Sequence, residues 1–69
     1  MKVLDVVALT VDLPEKGLRR GQVGTLVEEL APGVYEVEFA DLDGRAYAML
    51  SVPADQLMVL HHVPCRNAA

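Results

Sequence analysis

Aromatic side chains are scarce. The chain has no tryptophan, and Phe39, Tyr35 and Tyr47 make up 4% of its 69 residues. A core built on large rings is therefore excluded, and so is a surface that stacks successive nucleobases. There is one cysteine, Cys65, so no internal disulfide can form; a reducing compartment is the natural setting. Basic charge is also short. Six Lys and Arg stand against ten Asp and Glu, giving net −4, the wrong sign for a protein that gains affinity by releasing counterions from phosphates. Nucleic acid is disfavoured as a partner. The longest apolar run near the N-terminus is Val6-Val7-Ala8-Leu9, far below the roughly 20 residues that span a bilayer. Asp5 also interrupts that segment too early for a secretory leader. The expected location is cytoplasmic, with no membrane contact.

What remains is enough to fold as one small unit. Hydrophobic residues make up 52% of the chain and charged residues 23%, too apolar and too mixed for intrinsic disorder. Two domains are excluded at this length, and the core must be aliphatic. Turn residues fall at short intervals, and the apolar residues between them alternate with period two, as in short strands of a barrel or sandwich.

Residues 5–11 (DVVALTV) read as the first strand, apolar enough to be buried on more than one side. Residues 12–21, with Pro14, Gly17 and Gly21, form a long excursion rather than a tight hairpin. Residues 22–30 (QVGTLVEEL) are the second strand, and Gly24 inside it predicts a bulge or a close backbone approach. Ala31-Pro32-Gly33 turns the chain. Residues 34–40 (VYEVEFA) place Tyr35, Val37 and Phe39 on one side and Glu36 and Glu38 on the other. Asp43-Gly44 is a type I′ hairpin signal. The return strand, residues 45–52, is expected to set Ala46, Ala48 and Leu50 on the face of Phe39. Pro53 opens a single helical or 3-10 turn, residues 57–61 form a last short strand, and residues 62–69 carry no periodicity. The expected organisation is a barrel over 1–61 and a flexible tail over 62–69.

Five antiparallel strands, one long loop and a one-turn helix before the last strand predict an all-β, SH3-like small barrel. The segments Leu4-Asp5-Val6-Val7-Ala8-Leu9, Gly21-Gln22-Val23-Gly24-Thr25-Leu26-Val27 and Tyr35-Glu36-Val37-Glu38-Phe39, together with Asp12-Leu13-Pro14, Asp43-Gly44 and Gln56-Leu57, occur in this order. In order and spacing they resemble a bacterial family catalogued as domain of unknown function 4926, over residues 4–60. The resemblance implies an SH3-like barrel with no established activity. Members look like small genes carried beside other poorly characterised ones, which implies a partner-binding or antitoxin-like role. The tail segment His61-His62-Val63-Pro64-Cys65 has no counterpart in the pattern.

Catalysis needs a nucleophile, a base and an orienting group within reach of one another. The only pieces of that kind are His61, His62 and Cys65, all near a chain end, and Ser51 has no base by sequence logic. The chain is therefore expected not to be an enzyme. The same three residues are zinc-ligand types, and Asp55 is the one addition nearby; a structural site wants four ligands in paired spacings, so no metal is assigned. No cofactor and no small-molecule substrate is inferred. Gly17, Gly21 and Gly24 lack the Lys-Ser/Thr ending and the following helix of a phosphate loop, and read as turn or bulge glycines.

Two surfaces remain. If Tyr35, Val37 and Phe39 face inward, then Val34, Tyr47 and Met49 face outward beside Glu36 and Glu38. Apolar residues rimmed by acids have interface character, and they favour a basic protein partner. The expected function is a non-enzymatic protein-interaction module, the neutralising member of a two-gene bacterial system, with Val34, Glu36, Glu38, Tyr47 and Met49 as the contact set. Homodimerisation is a further expectation, because a small barrel without disulfide or metal gains stability by association. The alternative is an RNA- or ribosome-associated barrel of the KOW type. The Gly21–Val27 segment looks like the core of that motif, and Lys16, Arg19 and Arg20 would supply the phosphate contacts.

Overall fold

Period-two patterning is realised in a computed structural model that describes residues 1–65. Five strands form one antiparallel sheet: β1 (Val6–Leu9), β2 (Val23–Ala31), β3 (Val34–Ala40), β4 (Ala46–Pro53) and β5 (Leu57–Val59). The strand order is β4-β3-β2-β1-β5, so β4 and β5 are the two edges. The only helical pieces among the described residues are two 3-10 turns, Pro14–Lys16 and Ala54–Gln56. The class is all-β, as the patterning predicts, and the curled five-stranded sheet around one core is that of a small barrel. No helix among the described residues is long and apolar enough to cross a membrane.

The core comes from one parity of each strand. Val7 and Leu9 of β1, Leu26 of β2, Tyr35, Val37 and Phe39 of β3, Val52 of β4 and Leu57 of β5 cluster together with Leu18 from the long loop. Phe39, Leu26, Leu9, Val7, Val37 and Val52 are the largest fully buried side chains. Each is worth about 1.5–3 kcal/mol when removed from water, and that matters in a chain whose whole stability is of order 0.05–0.15 kcal/mol per residue. Ala8 on the other side of β1 is buried too, in line with the apolar run there.

The long loop is tied down rather than loose. Leu18 inserts into the core and forms a bridge with Leu13, and Gly17 takes φ 70 to end the first 3-10 turn. Arg20 N–H donates to Asp12 Oδ1 at 2.8 Å across the loop. At the other end, Pro32 and Gly33 connect the Ala31–Val34 pair, with Gly33 at φ 75; this is the order in which a type II turn uses Pro and Gly.

Three expectations are corrected. The β3–β4 connection is not a type I′ turn, because only Gly44 takes a positive φ, at 82°. Asp41 organises a five-residue connection, residues 41–45, instead: its Oδ1 accepts from the N–H groups of Asp43 and Arg45 at 2.9 and 3.0 Å. The register then slips between Phe39 and Ala40, so that Phe39 pairs with Ala48 but Ala40 pairs with Ala46. Ala46 therefore leaves the core-facing row and is exposed. The last strand ends at Val59, with Leu60 N–H donating to Val6 O at 2.8 Å as its final tie. Residues 61–65 are exposed and outside any strand, and the rest of the expected tail, residues 66–69, lies outside the described residues.

Candidate functional site

The solvent side of β2–β3–β4 is set by register. Glu28, Glu36 and Ser51 stand opposite one another, as do Thr25, Glu38 and Met49, and Ala31, Val34 and Pro53. Val34, Glu36 and Glu38 are half-buried, and Met49 is 54% exposed. Four of the five expected contact residues, Val34, Glu36, Glu38 and Met49, therefore occupy one surface.

That surface is electrostatically unresolved among the described residues. No side-chain hydrogen bond among the described residues involves Glu28, Glu36 or Glu38. Glu28 faces Glu36 directly across the strand pair. Like charges in that relation are destabilising, by up to about 1 kcal/mol. A fold does not need this arrangement, whereas a cationic visitor would benefit from it.

Tyr47 does not belong to that row. The slip beside Ala40 makes Tyr47 the unpaired residue of the bulge. Its ring lies 6.4 Å from that of core residue Phe39, and its hydroxyl accepts from Gln22 Nε2 at 3.1 Å. Tyr47 is exposed, at 47%, as expected, but one inserted residue takes it out of the row of Glu36 and Glu38, a feature that period-two counting cannot see.

Further apolar surface was not singled out from the sequence. Met58, Ala8 and Val23 stand side by side across β5, β1 and β2, with Met58 54% and Val23 43% exposed. The signal was available in the unbroken apolar character of residues 6–9, whose outward positions need apolar neighbours. Leu4 was also missed: it is 75% exposed and holds φ 78.

The loop cations Lys16, Arg19 and Arg20 are all exposed and share their loop with Asp12 and Glu15. Arg19 and Arg20 donate backbone N–H groups to Gln22 and Asp12, leaving both guanidinium groups in solvent. A cleft of about 180 Å³ lies between residues 12–16 of this loop and Leu50, Ser51 and Gln56. His61, His62, Cys65 and Asp55 are exposed. Among the described residues, no three His, Cys, Asp or Glu side chains lie close enough to hold a metal ion.

Among the described residues, Tyr35 is the one group with a displaced acidity. Burial raises its phenol above the ordinary value of 10.0, and the neighbouring carboxylates of Glu29 and then Asp5 push it the same way. Its hydroxyl donates to the Met1 carbonyl at 3.2 Å, fastening the N-terminus to β3.

No curated protein and no solved structure matches the chain. A family model described as Domain of unknown function (DUF4926) matches residues 3–59, which spans all five strands. The chain belongs to that family.

Proposed function

We propose that the protein is a non-enzymatic interaction module that captures a basic protein partner on the solvent face of β2–β3–β4. The observation that carries the reading is the carboxylate set Glu28, Glu36 and Glu38, without a hydrogen-bond partner among the described residues, beside exposed Met49. Acids at the margin speed the encounter with a cation-rich surface, and the adjoining apolar side chains supply the desolvated contact. In a two-gene system, this chemistry suits a small acidic protein that neutralises a basic one.

Co-expression with the product of the adjacent gene, followed by association kinetics across salt, tests the proposal. Capture should slow in Glu36→Gln/Glu38→Gln and dissociate faster in Met49→Ala. Tyr47→Ala should change capture less than Met49→Ala, because Tyr47 sits on the Phe39 side. Equal kinetics in all variants would remove the face from the proposal. Binding that depends instead on Lys16, Arg19 and Arg20, with RNA as the ligand, would favour the KOW-type alternative.

A further inference from the structure

We propose that the free edge of β4 is a strand-pairing site for a second copy of this chain, giving an antiparallel β4–β4′ dimer. The two edges of the sheet are built differently. β5 is three residues long, and short edges are one of the ways folded proteins avoid pairing with others. β4 is eight residues long, Ala46–Pro53, and carries no charged side chain at all. Its pairing partner on one side is β3; among the described residues its backbone between Ala46 and Val52 has no partner on the other. The guards on this edge are Pro53 at the last position and the bulge at Tyr47, which leave the stretch between them open.

Side-chain burial on the same rungs agrees. Val37 and Phe39 of β3 are 0% exposed, yet their direct neighbours Leu50 and Ala48 are only half-buried while packing against the same core. What differs is that among the described residues no strand pairs with the far side of β4, and only the cleft toward residues 12–16 lies beside Leu50. An added strand would cover both. The cleft between Leu50, Ser51 and residues 12–16 opens at the same edge and gives the incoming strand's side chains room.

Charge decides for a second copy in spite of the net −4. Behind this edge Glu36 and Glu38 are set back one strand on β3, and across the cleft Asp12 and Glu15 stand with Lys16. In a β3–β4–β4′–β3′ sheet the two glutamate rows are three strand spacings apart, roughly 14 Å at about 4.8 Å each. That exceeds the Debye length of about 8 Å at physiological salt, so the repulsion is largely screened while the uncharged strands meet. A dimer of this kind tightens as salt is raised. Capture of a basic partner by the glutamate face loosens, so the two proposals fail independently.

Sedimentation equilibrium of the full chain over a wide concentration range, at low and high salt, is the test. The mass should rise from 7.5 kDa toward twice that value, at lower concentration in high salt. Hydrogen exchange of wild-type protein should show β4 amides gaining protection as the dimer fills. Ala46→Lys/Ser51→Lys changes two exposed edge positions, the second opposite Glu36 on the solvent face, and should weaken dimerisation at least roughly tenfold, about 1.4 kcal/mol, with an unchanged circular dichroism spectrum. If that variant fails to fold, the exchange pattern of the wild type decides. A mass that stays at 7.5 kDa throughout, an equally tight dimer in the folded variant, or protection gained by β5 rather than β4 would overturn the proposal.

Discussion

Gly24 of β2 sits directly opposite Phe39 of β3, and no larger residue fits between them. A Cβ at Gly24 would stand 2.7 Å from Val37 Cγ1, 2.8 Å from the Glu38 carbonyl oxygen and 3.0 Å from Phe39 Cδ1. One of these is backbone within a paired strand and cannot swing aside. Gly24→Ala is therefore expected to destabilise by about 1–3 kcal/mol, toward the upper end of that range. Urea unfolding should show a lower midpoint with an unchanged slope. An unaltered midpoint would mean that β2 and β3 separate more easily than their register implies.

That close approach was legible in the sequence, because an isolated glycine inside a strand pattern has few other uses. The identity of the strands, the side of β3 that forms the core and the 3-10 turn before β5 were legible for the same kind of reason: each follows from local periodicity and turn chemistry. What was not legible came from a single residue count. Asp41 takes two backbone N–H groups and builds a longer loop than Asp43-Gly44 suggests, and the ensuing bulge removes Ala46 from the core row and turns Tyr47 toward Phe39 and Gln22. Glu36, Glu38, Val34 and Met49 lie beyond the slip and keep the placement that alternation gives them. The candidate face was thus readable where β3 and β4 pair regularly and misread at Tyr47, while β2 carries two further register shifts against β3, between Leu26 and Glu28 and between Glu29 and Ala31.

Leu4 occupies the left-handed region at φ 78 with its side chain 75% exposed. Its N–H donates to Leu26 O at 2.7 Å, which fixes the backbone in this conformation. For a residue with a Cβ the conformation costs roughly 1–2 kcal/mol, whereas glycine adopts it freely at an entropic penalty of about 0.5–1 kcal/mol. Leu4→Gly should therefore stabilise the fold by a few tenths to about 1 kcal/mol. Thermal melts of the two proteins measure this directly; a lower melting temperature for the variant would show that the Leu4 side chain contributes packing despite its exposure.

Tyr35 links stability to alkaline pH. Its phenol is raised in the folded chain, chiefly by burial, so the folded state holds this proton more tightly than the unfolded one. The contribution is fully present below the unfolded value near 10.0 and is lost as pH rises through the higher folded value. Urea midpoints should be flat with respect to this group from neutral pH to about 9 and decline above 10. Tyr35→Phe removes the titrating group together with the bond to Met1 O, so it should start from a lower midpoint and decline less steeply. Parallel declines in the two proteins would assign the alkaline transition to other groups.

Glu36→Gln is expected to act in opposite directions on folding and on the proposed capture. Within the chain it faces Glu28 and accepts no hydrogen bond among the described residues, so Glu36→Gln relieves repulsion and should raise stability by about 0.2–1 kcal/mol. Toward a cationic partner the same substitution removes part of the attracting field. Association with a lysine-rich peptide, used as the probe, should slow in Glu36→Gln, and the difference from wild type should shrink as salt is added. If Glu36→Gln is less stable than wild type and binds the peptide equally fast at every salt concentration, Glu36 belongs to the fold, and the partner must be sought on another face.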